Sequence, residues 1–563
     1  MVAGPLGWGP GGGGPFVSRS YAWEPDRMVW VTAQRSGERM NRHDEHDQQH
    51  ARGADRSEQD ETAESPRTRR RKAAGLVAGP LAAVLVYVLL PGDLGHAGAL
   101  TAGVAVLMAT WWMSEAIPIP ATALVPLVVF PVLGDATVDD VGASYGNNIV
   151  FLFMGGFILA LAMQRWNLHR RIALLTVRAM GTRPPRMIAG FMLATAFLSM
   201  WVSNTATAVM MLPIGLSVLL LVGRMTAAGP DAGADDRAGA GAEEEGAPER
   251  IEATNFGTAL MLGIAYAASI GSLATIIGTP PNTLLVGYLD ETHDVQIGFG
   301  EWMLLGLPLA AVLLVLCWLI LTRWVFPPEM DDIPGGRAFL DEKIDALGPI
   351  ARPELTVLAV FVLAALSWVT FPLVQDEPVI SDAGIAMTVA VLLFVLPSGR
   401  GVRILDWDHA VRLPWGVLLL FGGGLALSAQ FEASGLTAWI GERAEALGGI
   451  PTVLVVVLVA AGVLLLTELT SNTATAATFL PLAGALAVGI GLDPMLLAIP
   501  VALAASCAFM LPVATPPNAI AFGSGYVTIG QMVRGGVWVN VVALVLITIA
   551  TTTLAAAVFG LAL

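Results

Sequence analysis

From residue 74 onward, apolar residues come in long blocks separated by short polar joints, each block about 17 to 25 residues. Blocks of that length predict helices that cross a bilayer, because in lipid each backbone N–H and C=O must find its partner within the segment. They fall near 74–92, 96–115, 118–134, 147–165, 301–326, 354–374, 380–397, 413–431 and 535–560. Four more stretches are interrupted inside. Residues 187–223 break at Ser203-Asn204-Thr205 and 451–490 at Ser471-Asn472-Thr473. Residues 255–289 break at Gly278-Thr279-Pro280-Pro281-Asn282, and 494–526 at Ala514-Thr515-Pro516-Pro517-Asn518. Reading the first two stretches as re-entrant hairpins gives an all-α polytopic membrane protein of about eleven transmembrane helices plus two hairpins.

Composition agrees with this pattern. The 563 residues are 55% hydrophobic and 13% charged, and a soluble domain carries about twice that charge. The formal charge of −15 does not describe the spans, since nearly all the acids lie outside the apolar blocks. Residues 1–72 read as a disordered cytoplasmic tail, and 227–253, with eight acids against Arg237 and Arg250, as a disordered insertion. Cys317 and Cys507 lie in apolar runs and suggest packing. The seven histidines lie in the tail or near span ends, so no metal centre or histidine chemistry is indicated.

Arg67, Arg69, Arg70, Arg71 and Lys72 abut the first span and place the N-terminus inside. Four crossings later the chain should be inside again, and there it carries Arg165, Arg170, Arg171, Arg178, Arg183 and Arg186. With both hairpins re-entrant, the later basic loops also fall inside and the C-terminus lies outside.

The chain repeats itself. Ser-Asn-Thr-Ala-Thr-Ala stands at 203 and at 471, and Thr-Pro-Pro-Asn at 279 and at 515. The second spacing is shorter by about the length of the acidic insertion, so the copies are collinear without it. The Gly155-Gly156 span runs inward and its copy at Gly422-Gly423 outward, so the repeats are inverted, as in secondary transporters. The expected units are 73–326 and 354–563, joined by a cytoplasmic linker, 327–353.

Broken backbone at membrane depth is tolerated where it is buried in protein or lines a wet cavity. The tips Ser203-Asn204-Thr205 and Ser471-Asn472-Thr473 supply amide and hydroxyl donors and acceptors, and each is followed by a helix N-terminus that suits an anion. Helix capping is the alternative for one such tripeptide; two, each paired with a Thr-Pro-Pro-Asn break, favour a site. No charged residue lies between Met187 and Gly223, and no Lys or Arg between Glu445 and Arg534. Anion and cation bound there would be one another's counter-charges, which is a root of cotransport. Glu468 stands alone in the second hairpin, opposite Met200 in the repeat, and reads as support for the tip ahead of a proton carrier. A channel would show flux without ion coupling; a hydrolase would need a nucleophile with a base, and no His shares the broken helices.

The two tips, Gly278 to Asn282 and the run from Leu511 to Ile520 together resemble the divalent anion:sodium symporter family of sodium-coupled dicarboxylate, citrate and sulfate carriers, over 74–563. The resemblance implies a plasma-membrane homodimer whose transport domain slides as an elevator against a scaffold. It implies a first sodium among Ser199, Ser203, Asn204 and Gly278, and a second among Thr467, Thr470, Asn472 and Ala514. Substrate carboxylates would meet Asn204, Thr205, Asn472, Thr473, Thr515 and Pro516. Ser272 and Ala521 depart from the family's common residues beside the motifs. The expected substrate is a small dicarboxylate, succinate, malate or fumarate, with citrate, sulfate, proton coupling or exchange as the alternative. No enzyme activity, cofactor beyond sodium or nucleic-acid partner is expected.

Overall fold

The computed structural model describes residues 66–227, 254–333, 335–374, 380–399, 401–445 and 449–562, and Pro66–Leu563 forms one compact unit. Among the described residues the regular structure is helical, apart from an isolated bridge between Pro397 and Arg403. The first half contains α1 (Pro66–Leu89), α2 (Gly95–Ser114), α3 (Val125–Leu133), α4 (Asn148–Arg165) and α5 (Leu168–Met180). It continues with α6 (Pro184–Ser199), α7 (Asn204–Ala227), α8 (Asn255–Ser272), α9 (Pro280–His293) and α10 (Phe299–Leu319). The second half has α11 (Arg352–Val374), α12 (Asp382–Val395), α13 (Trp415–Ala433), α14 (Leu436–Ala444) and α15 (Thr452–Thr467). It ends with α16 (Asn472–Gly489), α17 (Met495–Ala505), α18 (Pro516–Gly523) and α19 (Ile529–Ile549).

Eight of the described helical segments are long and apolar enough to cross a membrane, and four shorter ones are apolar. Their outer faces carry large apolar side chains, such as Leu81, Val84, Leu363 and Leu465, that are more than half exposed. Exposure on this scale would aggregate a protein in water, whereas lipid covers it without cost. The centre is different. In α8 every residue from Phe256 to Ser272 is buried, and so is every residue of α17. These two helices lead into the two Thr-Pro-Pro-Asn breaks, so the interrupted backbone lies in the protein core. There its stray amides and carbonyls can be satisfied by side chains.

Several boundaries move. The first helix begins at Pro66, so the basic run before residue 73 is its opening turns and not the end of the tail; residues 1–65 and the acidic insertion beyond Ala227 lie outside the described residues. The 255–289 stretch is two separate helices, with residues 273–279 between them. The basic segment after α4 is itself a helix, α5, that buries Leu168, Ala173, Leu174 and Val177. The linker contains a short helix, Gly336–Asp345. In both, charged residues mask an apolar stripe that is too narrow to span a membrane. Arginines of the basic segment have partners: Arg171 grips Glu354 at 2.7 Å, Arg178 holds Asp341 at 2.7 Å, and Arg165 holds Asp406 at 2.7 Å.

Candidate functional site

Each half supplies one hairpin tip and one break, and the two breaks are built alike. Asn282 donates its side-chain amide to the carbonyls of Ser272, Leu273 and Thr275 at 3.4, 3.3 and 2.9 Å. Asn518 donates to Ala508 and Leu511 at 3.0 and 3.1 Å. Both asparagines therefore reach back ten and seven residues to hold the loop that precedes their helix. Both are fully buried, and their Oδ1 atoms accept no hydrogen bond among the described residues. Proline follows the N-cap threonine in each copy, where its missing N–H costs nothing. At Gly278 a side chain would collide with the Ser272 carbonyl, which explains the glycine there. The breaks touch through Thr279 and Ser506, whose hydroxyls lie 3.4 Å apart.

Tip and break are fastened in both halves, by opposite chemistry. In the first, the Thr275 hydroxyl donates to the Met200 carbonyl at 2.5 Å. In the second, the repeat equivalent of Met200 is Glu468, and its carboxylate takes the loop's amides. Oε1 accepts from Phe509 N at 2.7 Å, Met510 N at 3.0 Å and the Asn540 amide at 2.6 Å. Oε2 accepts from Met510 N at 3.1 Å and Leu511 N at 3.1 Å. All these partners are donors. These contacts fasten the 509–511 loop to the tip, and Asn540 of α19 takes part although it belongs to no motif.

Oxygens gather beneath each tip. Thr467 is fully buried, and its hydroxyl lies 2.8 Å from Asn472 Oδ1 and 2.7 Å from the Ala505 carbonyl. One proton cannot serve both acceptors, so the cluster has surplus oxygen. In the first half Ser199, the repeat equivalent of Thr467, donates through Oγ to the Ala268 carbonyl at 2.5 Å, one register position before the equivalent of Ala505. Carbonyls at 268 and 505 carry no side-chain signal, so no motif could have pointed to them.

The remaining expected residues are placed as follows. Ser203 Oγ accepts from Ala206 N at 3.3 Å, a capping bond, whereas Ser471 makes no side-chain cap. Asn204 Oδ1 accepts from Thr205 N at 3.0 Å. Thr470 lies 2.7 Å from the Thr475 hydroxyl, and Thr515 Oγ1 accepts from Asn518 N at 3.3 Å. Ala514 is buried and Pro516 exposed. Asn204, Thr205, Asn472 and Thr473 are all half-buried at the tips, and among the described residues the Thr205 and Thr473 hydroxyls make no hydrogen bond.

Residues 71–561 match the model of the sodium:sulfate symporter transmembrane region. A sodium-dependent dicarboxylate transporter, SdcS, of Staphylococcus saprophyticus is 42% identical over 495 residues, covering 86% of this chain and 92% of that one. The SdcS of Staphylococcus aureus strain USA300 is 42% identical over 481 residues, covering 84% and 89%. Solved structures are more distant: the Alcanivorax borkumensis YdaH transporter has a TM-score of 0.48 at 15% identity, over 83% of this chain and 99% of that one. Neisseria gonorrhoeae MtrF has 0.48 at 14%, over 82% and 95%. With a family model spanning nearly the whole chain and relatives at this identity along most of their length, this multi-pass membrane protein belongs to the sodium:sulfate, or divalent anion:sodium, symporter family of transporters.

Proposed function

We propose that the protein is a secondary active transporter that carries small dicarboxylates such as succinate, malate or fumarate across the plasma membrane together with sodium. The observation that carries this reading is the pair of matched tip-and-break units, each with oxygens crowded below the tip and polar groups half-open above it. In this reading Ser199, Ser203, Asn204 and Gly278 hold one sodium, and Thr467, Thr470, Asn472 and Ala514 the other. The oxygens of Thr467, Asn472 and Ala505 suit a cation, which their lone pairs would hold while the Thr467 hydroxyl keeps its proton and turns it aside. Substrate carboxylates meet Asn204, Thr205, Asn472, Thr473, Thr515 and Pro516. Helices α7 and α16 begin at the two asparagines, so their free amides face the anion.

No Lys or Arg lies between Met187 and Gly223 or between Glu445 and Arg534 to balance a dianion, and the one carboxylate of the second hairpin, Glu468, is consumed by loop amides and Asn540. Substrate and sodium then stabilise each other. At a separation on the order of 6 Å and an effective dielectric near 20, the attraction is roughly 3 kcal/mol per unit-charge pair. The same reading takes the halves as inverted repeats, with about eleven crossings and two re-entrant hairpins. It puts the N-terminus inside and the C-terminus outside, and makes the protein a homodimer in which the tips and breaks travel as an elevator. The names of the curated relatives support dicarboxylate and sodium. The family description names sulfate, which is the second reading.

Uptake of labelled succinate into proteoliposomes tests the proposal. A sodium gradient should drive accumulation, potassium or choline should not, and malate and fumarate should compete. Full competition by sulfate with no succinate accumulation would transfer the site to sulfate; uptake indifferent to sodium would remove the coupling.

A further inference from the structure

Away from the tips, a cavity of about 330 Å³ opens between α5, α7 and the short linker helix Gly336–Asp345. Arg170 and Lys343 line it, and among the described residues neither has a carboxylate within ion-pair distance. Their neighbours are engaged: Arg171 with Glu354, and Arg178 with Asp341 of the linker helix itself. Lys343 rests 5.2 Å from the centre of the Phe339 ring. His169 completes the basic edge but is buried, with Nδ1 3.1 Å from the Met163 carbonyl. Burial holds its pKa below the ordinary histidine value, and the charge of Arg170 acts the same way. Two uncompensated cations therefore face the cavity.

The rest of the lining is chiefly apolar, with Leu174 on α5 and Met210, Met211 and Ile214 on α7. A hydrophilic dianion would lose water against those side chains and gain nothing in return. An anion with a hydrocarbon tail satisfies both surfaces. The arginine-rich segment lies on the cytoplasmic side by the positive-inside rule, where basic pockets between helices take anionic headgroups. Residues 210–217 lie roughly 9 to 20 Å along α7 from Asn204 at 1.5 Å per residue, so the cavity reaches from headgroup depth toward the tip.

We propose that this cavity binds an anionic phospholipid, with its phosphate on Arg170 and Lys343 and an acyl chain against Met210, Met211 and Ile214. The lipid joins the outgoing leg of the first hairpin to two connecting helices. Its presence would therefore set how readily that hairpin moves, whichever anion the protein carries.

The experiment measures Tm of the full-length protein in a neutral detergent, with added phosphatidylglycerol, phosphatidylcholine or glycerol 3-phosphate. Phosphatidylglycerol should raise Tm by about 3 °C and the other two should not. Arg170→Glu with Lys343→Glu should lose more than half of that shift. Ile214→Trp, which fills the apolar end and leaves both charges, should lose as much, and it decides the matter alone if the double variant does not fold. An equal shift with glycerol 3-phosphate would make this a free-phosphate site. An undiminished shift in Ile214→Trp, or an equal loss in a control with Arg323→Glu and Arg412→Glu, would reduce the effect to general surface charge. Each of these results overturns the proposal.

Discussion

A side-chain amide can serve two ligands at once, because its oxygen accepts and its nitrogen donates. In the proposed site Asn472 does so, with Oδ1 2.8 Å from the Thr467 hydroxyl and the side chain half-buried at the tip. Asn472→Asp keeps the size but removes the donor and adds a negative charge beside the anion. Dicarboxylate binding should be abolished while sodium binding persists or strengthens. Thr473→Ala removes one hydroxyl and should cost about 1 to 3 kcal/mol in substrate binding with little effect on sodium. Parallel sodium-22 and succinate binding on both variants checks the pair; normal succinate binding by Asn472→Asp would make the second tip a helix cap. Asn518 acts on structure instead. Asn518→Ala strands the carbonyls of Ala508 and Leu511 and should destabilise the protein by about 1 to 3 kcal/mol, read as a lower Tm without substrate. At this scale the sequence marked the side chains of the repeated motifs, which the structure gathers at the tips and breaks. It was silent on Ala268 and Ala505, whose contribution is a backbone carbonyl that any residue would supply.

Among the elements, the two halves solve one problem differently. The first break largely closes on itself: the amides of Leu273 and Ala274 bond to carbonyls at the end of α8, and the Trp302 indole takes the Leu273 carbonyl. In the second break the amides of residues 509–511 turn to Glu468. Helix α19 closes over them, since a side chain at Gly536 would collide with the Phe509 carbonyl. Glu468→Gln would turn one acceptor into a donor facing donors. Each lost bond to a charged group is worth about 1.5 to 3 kcal/mol, so sodium affinity should fall at least tenfold by titration. Glu468→Asp, which keeps the charge on a shorter arm, should recover part of it; a Gln variant with unchanged sodium affinity would show that the clamp does not shape the second site. The sequence placed Glu468 in the hairpin and opposite Met200, but its partners lie 41 to 72 residues away and only packing reveals them.

For the whole molecule, ligand coupling is the measurable property. Titration of succinate in rising sodium should show its affinity increase, with the reciprocal effect of succinate on sodium; equal succinate affinity in sodium and choline would refute it. Deletion of the acidic insertion, 227–253, should leave uptake within about threefold of the parent, because the second half makes the same connection without one. A deletion variant that reaches the membrane but does not transport would give the insertion a role. The sequence alone determined that this is a helical membrane protein, where its apolar blocks lie, that two motifs occur twice, and which family they resemble. Those properties follow from local composition, because lipid leaves a chain few ways to satisfy its backbone. The tertiary structure decided the rest. It buried α8 and α17 at the centre and drew each Asn back onto its own loop. It gave Arg171 and Arg178 their partners and folded two charged connecting segments into helices. These depend on which distant surfaces meet, and residues far apart in the chain carry no local mark of that meeting.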